Sequence, residues 1–186
     1  MSAIMNIRET ETADLPVIMD IHRRAFGGEA EAELVRDLLA DPTARPLLSL
    51  LAEGDAGPLG HVLFTSVRLA ETVRGEEPVA SLSILCPLAV VPEAQGQGVG
   101  GDLVRCGLEV LADVGAGLVF VLGHPGYYPR FGFTPAGRQG FATPYPIAEE
   151  NADAWMVLAL QPGLTGKLQG RVIGADSLMK PEYWVE

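Results

Sequence analysis

Apolar and polar positions follow two rhythms along this chain, one of about 3.6 residues and one of about 2, and their changeovers mark its elements. Leu15, Ile18, Ile21 and Ala25 recur at helical spacing and predict a helix to Phe26. Thr12 or Asp14 can cap it, and Pro16 is tolerated in its first turn. Gly27-Gly28 interrupts the pattern, and a second helix over residues 30–39 carries Leu34, Leu38 and Leu39 on one face until Asp41-Pro42. Strands are predicted at 4–8, 47–52 and 59–69, the last two forming a hairpin around Gly54 and Pro58. A charged loop over 71–78 follows, then a long strand over 79–91. Pro87 lies inside that strand and donates no N–H, so it predicts a broken ladder or a bulge. Val99, Leu103, Val104, Leu108 and Leu111 give the clearest helix, over 99–114, closed by Gly115 and Gly117. The unbroken apolar run at 118–122 predicts a buried strand. A short turn or helix at 125–131 and a strand at 155–160 complete the pattern. Beyond Gln161 the patterning is weak, and no repeat or linker divides the chain.

Composition narrows the class. The chain has 186 residues, enough for one domain with a real core. A net charge of −11 argues against a general basic surface for nucleic acid. Acidity suits a cationic substrate, although a merely soluble surface explains it as well. Cys86 and Cys106 are too few for a disulfide scaffold and show no metal-ligand spacing. Glu9, Glu11 and Asp14 leave no room for a secretory signal, and no apolar run is long enough to span a membrane. The expectation is a cytoplasmic protein without a bound metal.

The chemistry concentrates at Leu88-Ala89-Val90-Val91-Pro92, followed by Glu93-Ala94 and then Gln95-Gly96-Gln97-Gly98-Val99-Gly100-Gly101. A strand ends, a glycine-rich turn follows and a helix begins. Glycines let a ligand approach the backbone, and the helix start adds orphan N–H donors and a positive dipole end. Phosphate suits such a place. A nucleoside triphosphate loop requires Lys and Ser or Thr after the last glycine, whereas Asp102 follows Gly101 here. Gly96, Gly98 and Gly101 satisfy the dinucleotide fingerprint, which would make the chain an oxidoreductase. Against that, residues 92–95 separate the strand from the first glycine, and the strand at 118–122 ends in Gly123-His124 rather than an acid. A tight turn without any ligand is the remaining alternative.

Gln95-x-x-Gly98-x-Gly100, preceded by Leu88-Ala89-Val90, resembles the acyl-CoA motif of the GNAT N-acetyltransferase superfamily. The segment from Gly123 to Phe133, which reads GHPGYYPRFGF, resembles a second block of that family and looks closest to the YhbS-like predicted bacterial acetyltransferases. The resemblance covers about 4–160 of a single domain, with 161–186 as a C-terminal tail. It implies an α/β fold (α+β mixed sheet): a central, mostly antiparallel twisted sheet, splayed at the cofactor-binding strands and flanked by helices. It implies acetyl-CoA as cosubstrate and an amine as acceptor, with Gln95, Gly96, Gln97, Gly98, Val99, Gly100 and Gly101 holding the pyrophosphate. Leu88, Ala89 and Val90 would run beside the pantetheine arm, the Leu88 N–H polarising the thioester carbonyl. Tyr128, four residues before Gly132, matches the tyrosine that protonates the leaving thiolate; Tyr127 and the two phenylalanines at 131 and 133 are then packing residues. Two departures stand out: the strand before the motif has Ser81, Ser83 and Cys86 but no acid to act as base, and the position seven before Tyr128, often asparagine, is Val121. His124 is a candidate base, His61 a structural histidine and Cys86 a small apolar residue. A homodimer is one arrangement the family adopts. A non-catalytic acyl-CoA-binding module is the alternative that keeps the loop and lacks a working base.

Overall fold

The computed structural model describes residues 4–70 and 80–185. The chain begins with β1 (Asn6–Glu9), α1 (Leu15–Phe26) and α2 (Ala30–Ala40), then runs through β2 (Leu48–Gly54), β3 (Gly57–Leu69) and β4 (Leu82–Val90). After α3 (Val99–Asp113) come β5 (Leu118–Leu122), the two-residue strands β6 (Thr134–Pro135) and β7 (Phe141–Ala142), β8 (Trp155–Ala159) and β9 (Gly170–Ile173). The main run of the sheet is β1-β2-β3-β4-β5-β8-β6. Every neighbouring pair in that run is antiparallel except β4 and β5. This is the mixed sheet expected from the resemblance, and it is not the doubly wound parallel sheet that a dinucleotide fold requires.

Each face of the sheet buries a different helix layer. Leu103, Val104 and Leu108 of α3 pack with Leu50, Val62 and Phe64. Ile18 of α1 and Leu34, Val35 and Leu38 of α2 pack with Leu63, Ile84 and Phe120 on the other face. The helical spacings legible in the sequence are therefore the buried stripes. Gly27 ends α1 in the left-handed conformation, φ +74°, where a side chain is strained. The loop at 71–78, and Val79 of the expected strand, fall outside the described residues.

Pro87 acts as the sequence suggests. Phe64 of β3 pairs with Leu85, but Val62 pairs with Leu88, so β4 carries one extra residue at Cys86-Pro87. The parallel pairing with β5 stops at the same height, with Leu85 opposite Val121. From Cys86 onward, among the described residues, β4 has a strand neighbour only on its β3 side.

The segment after Gln161 belongs to the core, which the weak patterning did not reveal. β9 pairs with the end of β3, Arg68 opposite Ile173, and with β7. Leu178 and Trp184 are buried, and the Trp184 indole donates to the Leu178 carbonyl. The tail is also tied to the end of α2: Ser177 donates its N–H and its hydroxyl to Asp41 at 2.9 and 2.8 Å. Burial opposes the charge on Asp41, but the hydrogen bonds from Thr43 and Ser177 outweigh it and hold the carboxyl at about 2.

One polar chain crosses the core. The Thr10 hydroxyl donates to Ser49 Oγ at 2.7 Å, and Ser49 Oγ lies 2.8 Å from His61 Nε2. His61 Nδ1 lies 2.9 Å from His22 Nε2. Both imidazoles are 0% exposed. Burial keeps them neutral, lowering His22 to about 4 and holding His61 well below its usual value.

Two predictions follow from this packing. Trp184→Ala should cost about 3–5 kcal/mol in urea unfolding, the range for emptying a large aromatic site; a loss under 1 kcal/mol would mean the tail is not part of the cooperative core. The histidines bind a proton more readily unfolded than folded, so stability is complete above pH 6.5 and falls as pH drops toward 4. His22 alone contributes up to about 3 kcal/mol to that fall. Asp14 and Asp41, both held near 2, act only below their unfolded value of 3.8. A urea midpoint that stays flat between pH 7 and 4.5 would contradict the buried neutral pair.

Candidate active site

Where β4 leaves β5, its edge is unpaired. The Val91 N–H donates to the Leu59 carbonyl of the β3 side at 2.9 Å. Strand alternation then turns the backbone of Ala89 toward β3 and the N–H and C=O groups of Leu88 and Val90 toward the gap. The Val90 carbonyl is met there by the Gln95 side-chain amide at 3.0 Å.

The chain then makes a short 3-10 turn, Pro92–Ala94, and enters α3 through Gly96 and Gly98. Both glycines are left-handed, φ +75° and +87°, which is why this turn needs glycine. Gly98 caps α3, so the amides of Val99, Gly100 and Gly101 form the first turn and have no intrahelical acceptor. The Gln97 side chain folds back to the Glu93 carbonyl at 3.0 Å, and Glu93 pairs with Arg24 near the end of α1. The approach to the loop is thus anchored to the opposite helix layer.

A cavity of about 420 Å³ joins these parts. Of the residues expected at the site, Leu88, Val90, Gln95, Gly96, Gly98, Val99, Gly100 and Gly101 line it. Ala89 does not, because it is 2% exposed and its backbone serves β3. Gln97 does not either, because its side chain is occupied by the turn. Gln95 contributes its side chain, while its own N–H turns back to the Pro92 carbonyl.

Sequence reasoning missed two cations. Arg105 and Arg130 line the same cavity. Arg105 sits one turn after Gly101, so close that a Cβ on Gly101 would meet its Nη1 at 3.0 Å. Arg130 donates from Nε to the Tyr127 carbonyl and lays its guanidinium 4.5 Å from the Tyr127 ring centre. In a chain of net charge −11, two guanidiniums gather positive charge beside a helix start, Arg105 lying also 3.7 Å from the Asp102 carboxylate. The helical offset of Arg105 from the glycines was the available signal.

The tandem tyrosines divide. Tyr127 lines the cavity, and a Cβ on Gly100 would come within 3.0 Å of its hydroxyl. Burial raises the Tyr127 pKa, with Arg130 and Arg105 pulling it the other way. Tyr128 is 8% exposed and packs against Phe133. Its ring lies on Gly123, the residue after β5, where a Cβ would meet its Cε2 at 2.5 Å. Tyr128, expected at the site, does not line the cavity: it is packed against Gly123 at the end of β5, and its neighbour Tyr127 is the ring beside the helix start. His124 shapes this loop: its Nδ1 accepts from the Gly126 N–H at 3.1 Å. Burial pushes the Cys86 thiol up to about 12, with Glu31 adding to the effect, so it is no thiolate nucleophile. Part of the Cys86 surface still reaches solvent.

No protein-family model matches the chain. It is 49% identical over 164 residues to the uncharacterized N-acetyltransferase YjhQ of Escherichia coli K12, covering 86% of this chain and 88% of that one. It is 37% identical over 146 residues to the uncharacterized N-acetyltransferase YhbS of the same strain, covering 78% and 83%. Among solved structures, the GNAT family N-acetyltransferase YhbS from Escherichia coli, in complex with CoA, superposes with a TM-score of 0.83 at 30% identity, over 97% of this chain and 94% of that one. A GNAT family acetyltransferase from Brucella melitensis, in complex with acetyl-CoA, gives 0.72 at 31% identity, over 95% and 99%.

Gly98→Ala isolates the conformational demand of the turn, since a Cβ there would meet nothing within 4 Å. The left-handed backbone alone should cost about 1–2 kcal/mol. A variant as stable as the parent in chemical unfolding would show that the turn relaxes freely.

Proposed function

Because the chain belongs to the GNAT family of N-acetyltransferases, we propose that it takes acetyl-CoA as donor and moves the acetyl group to an amine by direct attack on the thioester. The observation that carries this reading is the meeting, in one cavity, of the unpaired edge of β4 with a glycine-rich helix start. The two halves suit the two ends of one extended molecule. The amides of Val99, Gly100 and Gly101, with Arg105 and Arg130, hold a pyrophosphate. The remaining edge groups, the Leu88 carbonyl and the Val90 N–H, bind amides of the pantetheine arm as a further strand would, the Val90 carbonyl being held by Gln95. Gly100 fits this role because a side chain there would fill the cradle between Val90, Leu88 and Tyr127.

Acetyl-CoA supplies an activated acyl carbonyl. The N–H of Leu88 donates to the oxygen of that carbonyl and steadies the charge that builds on it, an effect commonly worth ~10²–10³ in rate. Tyr128, four residues before Gly132, gives a proton to the departing sulfur. A phenol of pKa ~10 can serve a thiol of pKa ~8.5 with little mismatch. Its place against Gly123 supports the role, since β5 is the strand that forms the other side of the gap. Tyr127 belongs to the pyrophosphate half, where its hydroxyl borders Gly100. The described part of β4 offers Ser83 and Cys86 but no carboxylate, so an incoming ammonium finds no base on that strand.

Release of free CoA thiol in the presence of a panel of primary amines tests the whole assignment. Tyr128→Phe should lower kcat by about 10²-fold with little change in acetyl-CoA affinity. Gly100→Val should do the reverse, raising the KM for acetyl-CoA. Full turnover in Tyr128→Phe together with loss in Tyr127→Phe would move the proton donor to the neighbouring ring. In a thermal shift, acetyl-CoA at 100 times its Kd adds about 2.7 kcal/mol; stabilisation by NAD and not by acetyl-CoA would overturn the donor.

A further inference from the structure

The opening between β4 and β5 has a second face. Ile84 of β4 and Phe120 of β5 are register partners, and both pack with Leu34, Val35 and Leu38 of α2. Two residues further along each strand, Cys86 and Leu122 join the same layer, and both are only half-buried. They are the first side chains on this face past the last paired rung, Leu85 and Val121. Leu88 and Val90 pack with the α3 layer instead and line the glycine-loop cavity. The opening thus has the acetyl-CoA groove on one face and a mouth formed by Cys86 and Leu122 on the other.

One carboxylate reaches that mouth. Leu34, Val35 and Leu38 form the buried stripe of α2, and Glu31, in its first turn, extends the stripe toward the helix start. Glu31 is half-buried, whereas Glu29 and Glu33 are exposed. Glu29 is paired with Arg23, and Glu33 stands off the stripe. The Glu31 carboxylate makes no hydrogen bond or ion pair among the described residues. Burial raises the pKa of the Cys86 thiol and the Glu31 charge adds to it, so the carboxylate stands within electrostatic reach of the mouth. β4 supplies no carboxylate of its own. His124, in the loop after β5, does not take this part: its Nδ1 accepts from the Gly126 N–H, so in the neutral ring Nε2 carries the hydrogen and donates.

We propose that Glu31 binds the acceptor, pairing with the positive charge of an aliphatic amine that enters past Cys86 and Leu122, from the face opposite the acetyl-CoA groove. The inference rests on the acetyl transfer proposed above and names its substrate class. An aliphatic amine has a pKa of ~10.4 and is charged at neutral pH. A half-buried carboxylate without a partner of its own favours that form, and repels an amine that carries a carboxylate beside its nitrogen. Solvent reaches the half-buried mouth, and the ammonium loses one proton to it before attack. The lone pair left behind forms the C–N bond; the C–S bond breaks, its electron pair leaves on sulfur, and Tyr128 protonates it. The second proton lost by nitrogen replaces the one that Tyr128 gave.

Pentylamine and norleucine, which is the same amine with a carboxylate beside the nitrogen, are the probes, with release of CoA thiol as the readout. The parent protein should prefer pentylamine. Glu31→Gln should raise the KM for pentylamine about tenfold, with kcat and the KM for acetyl-CoA close to the parent values. Glu33→Gln should leave all three unchanged. The thermal shift given by acetyl-CoA verifies that each variant is folded. An unchanged pentylamine KM in Glu31→Gln, a loss confined to kcat, or a parent protein that acetylates norleucine as readily as pentylamine would overturn the role of Glu31 and leave the acetyl transfer standing. No thiol release by the parent with any primary amine of the panel would overturn the transfer itself, and this inference with it.

Discussion

The parting of β4 from β5 is the constraint on which the rest depends. The two strands pair in parallel only as far as Leu85 and Val121. An edge inside a sheet is costly to leave bare, and proteins ordinarily cover or blunt it. Here it stays open because β4 takes up an extra residue at Cys86-Pro87 while β5 continues to pair with β8 through Leu122 and Trp155. The groups proposed to serve acetyl-CoA follow that opening: the glycine turn, the helix start and Tyr127 at one end, Tyr128 against Gly123 at the end of β5, and Arg24–Glu93 tying the approach to α1.

The two helix layers give the opening its rigidity. α3 is drawn so close to the sheet that the Phe64 ring occupies the place of a Cβ at Gly107, with Cε2 only 2.2 Å from it. A helix start held this firmly presents its amides without further ordering, which is what preorganised anion binding requires. On the opposite face the His61–His22 pair fills a position that an apolar core would give to leucine. It is kept neutral by burial and connects, through Ser49 and Thr10, to the surface.

Much of this was legible in the residues themselves. Helical spacing located α1, α2 and α3, because stripes such as Leu103, Val104 and Leu108 are set by the core they face. Pro87 announced the bulge, and the glycine run announced the turn, because proline and glycine act through local backbone geometry. What stayed hidden depends on distant partners. β9 is four residues long and is held by β3 and β7, so it has no periodicity of its own. The His22–His61 contact joins residues 39 apart in sequence. Arg105 and Arg130 are brought to the same cavity only by the fold, and the different surroundings of Tyr127 and Tyr128 follow from a 3-10 turn rather than from their spacing.

The extra residue in β4 also changes which helix layer the strand addresses. Upstream, Leu82 and Ile84 point into the α1–α2 layer, and strict alternation would send Leu88 and Val90 the same way. The insertion reverses the phase, so Leu88 and Val90 pack on the α3 side beside Gly100. One strand is in this sense two half-strands of opposite polarity, joined at a proline. The upstream half belongs to the structural core, and the downstream half lends its side chains to the wall of the cofactor groove while its backbone stays available. The insertion thus performs in a single residue what would otherwise take a separate strand.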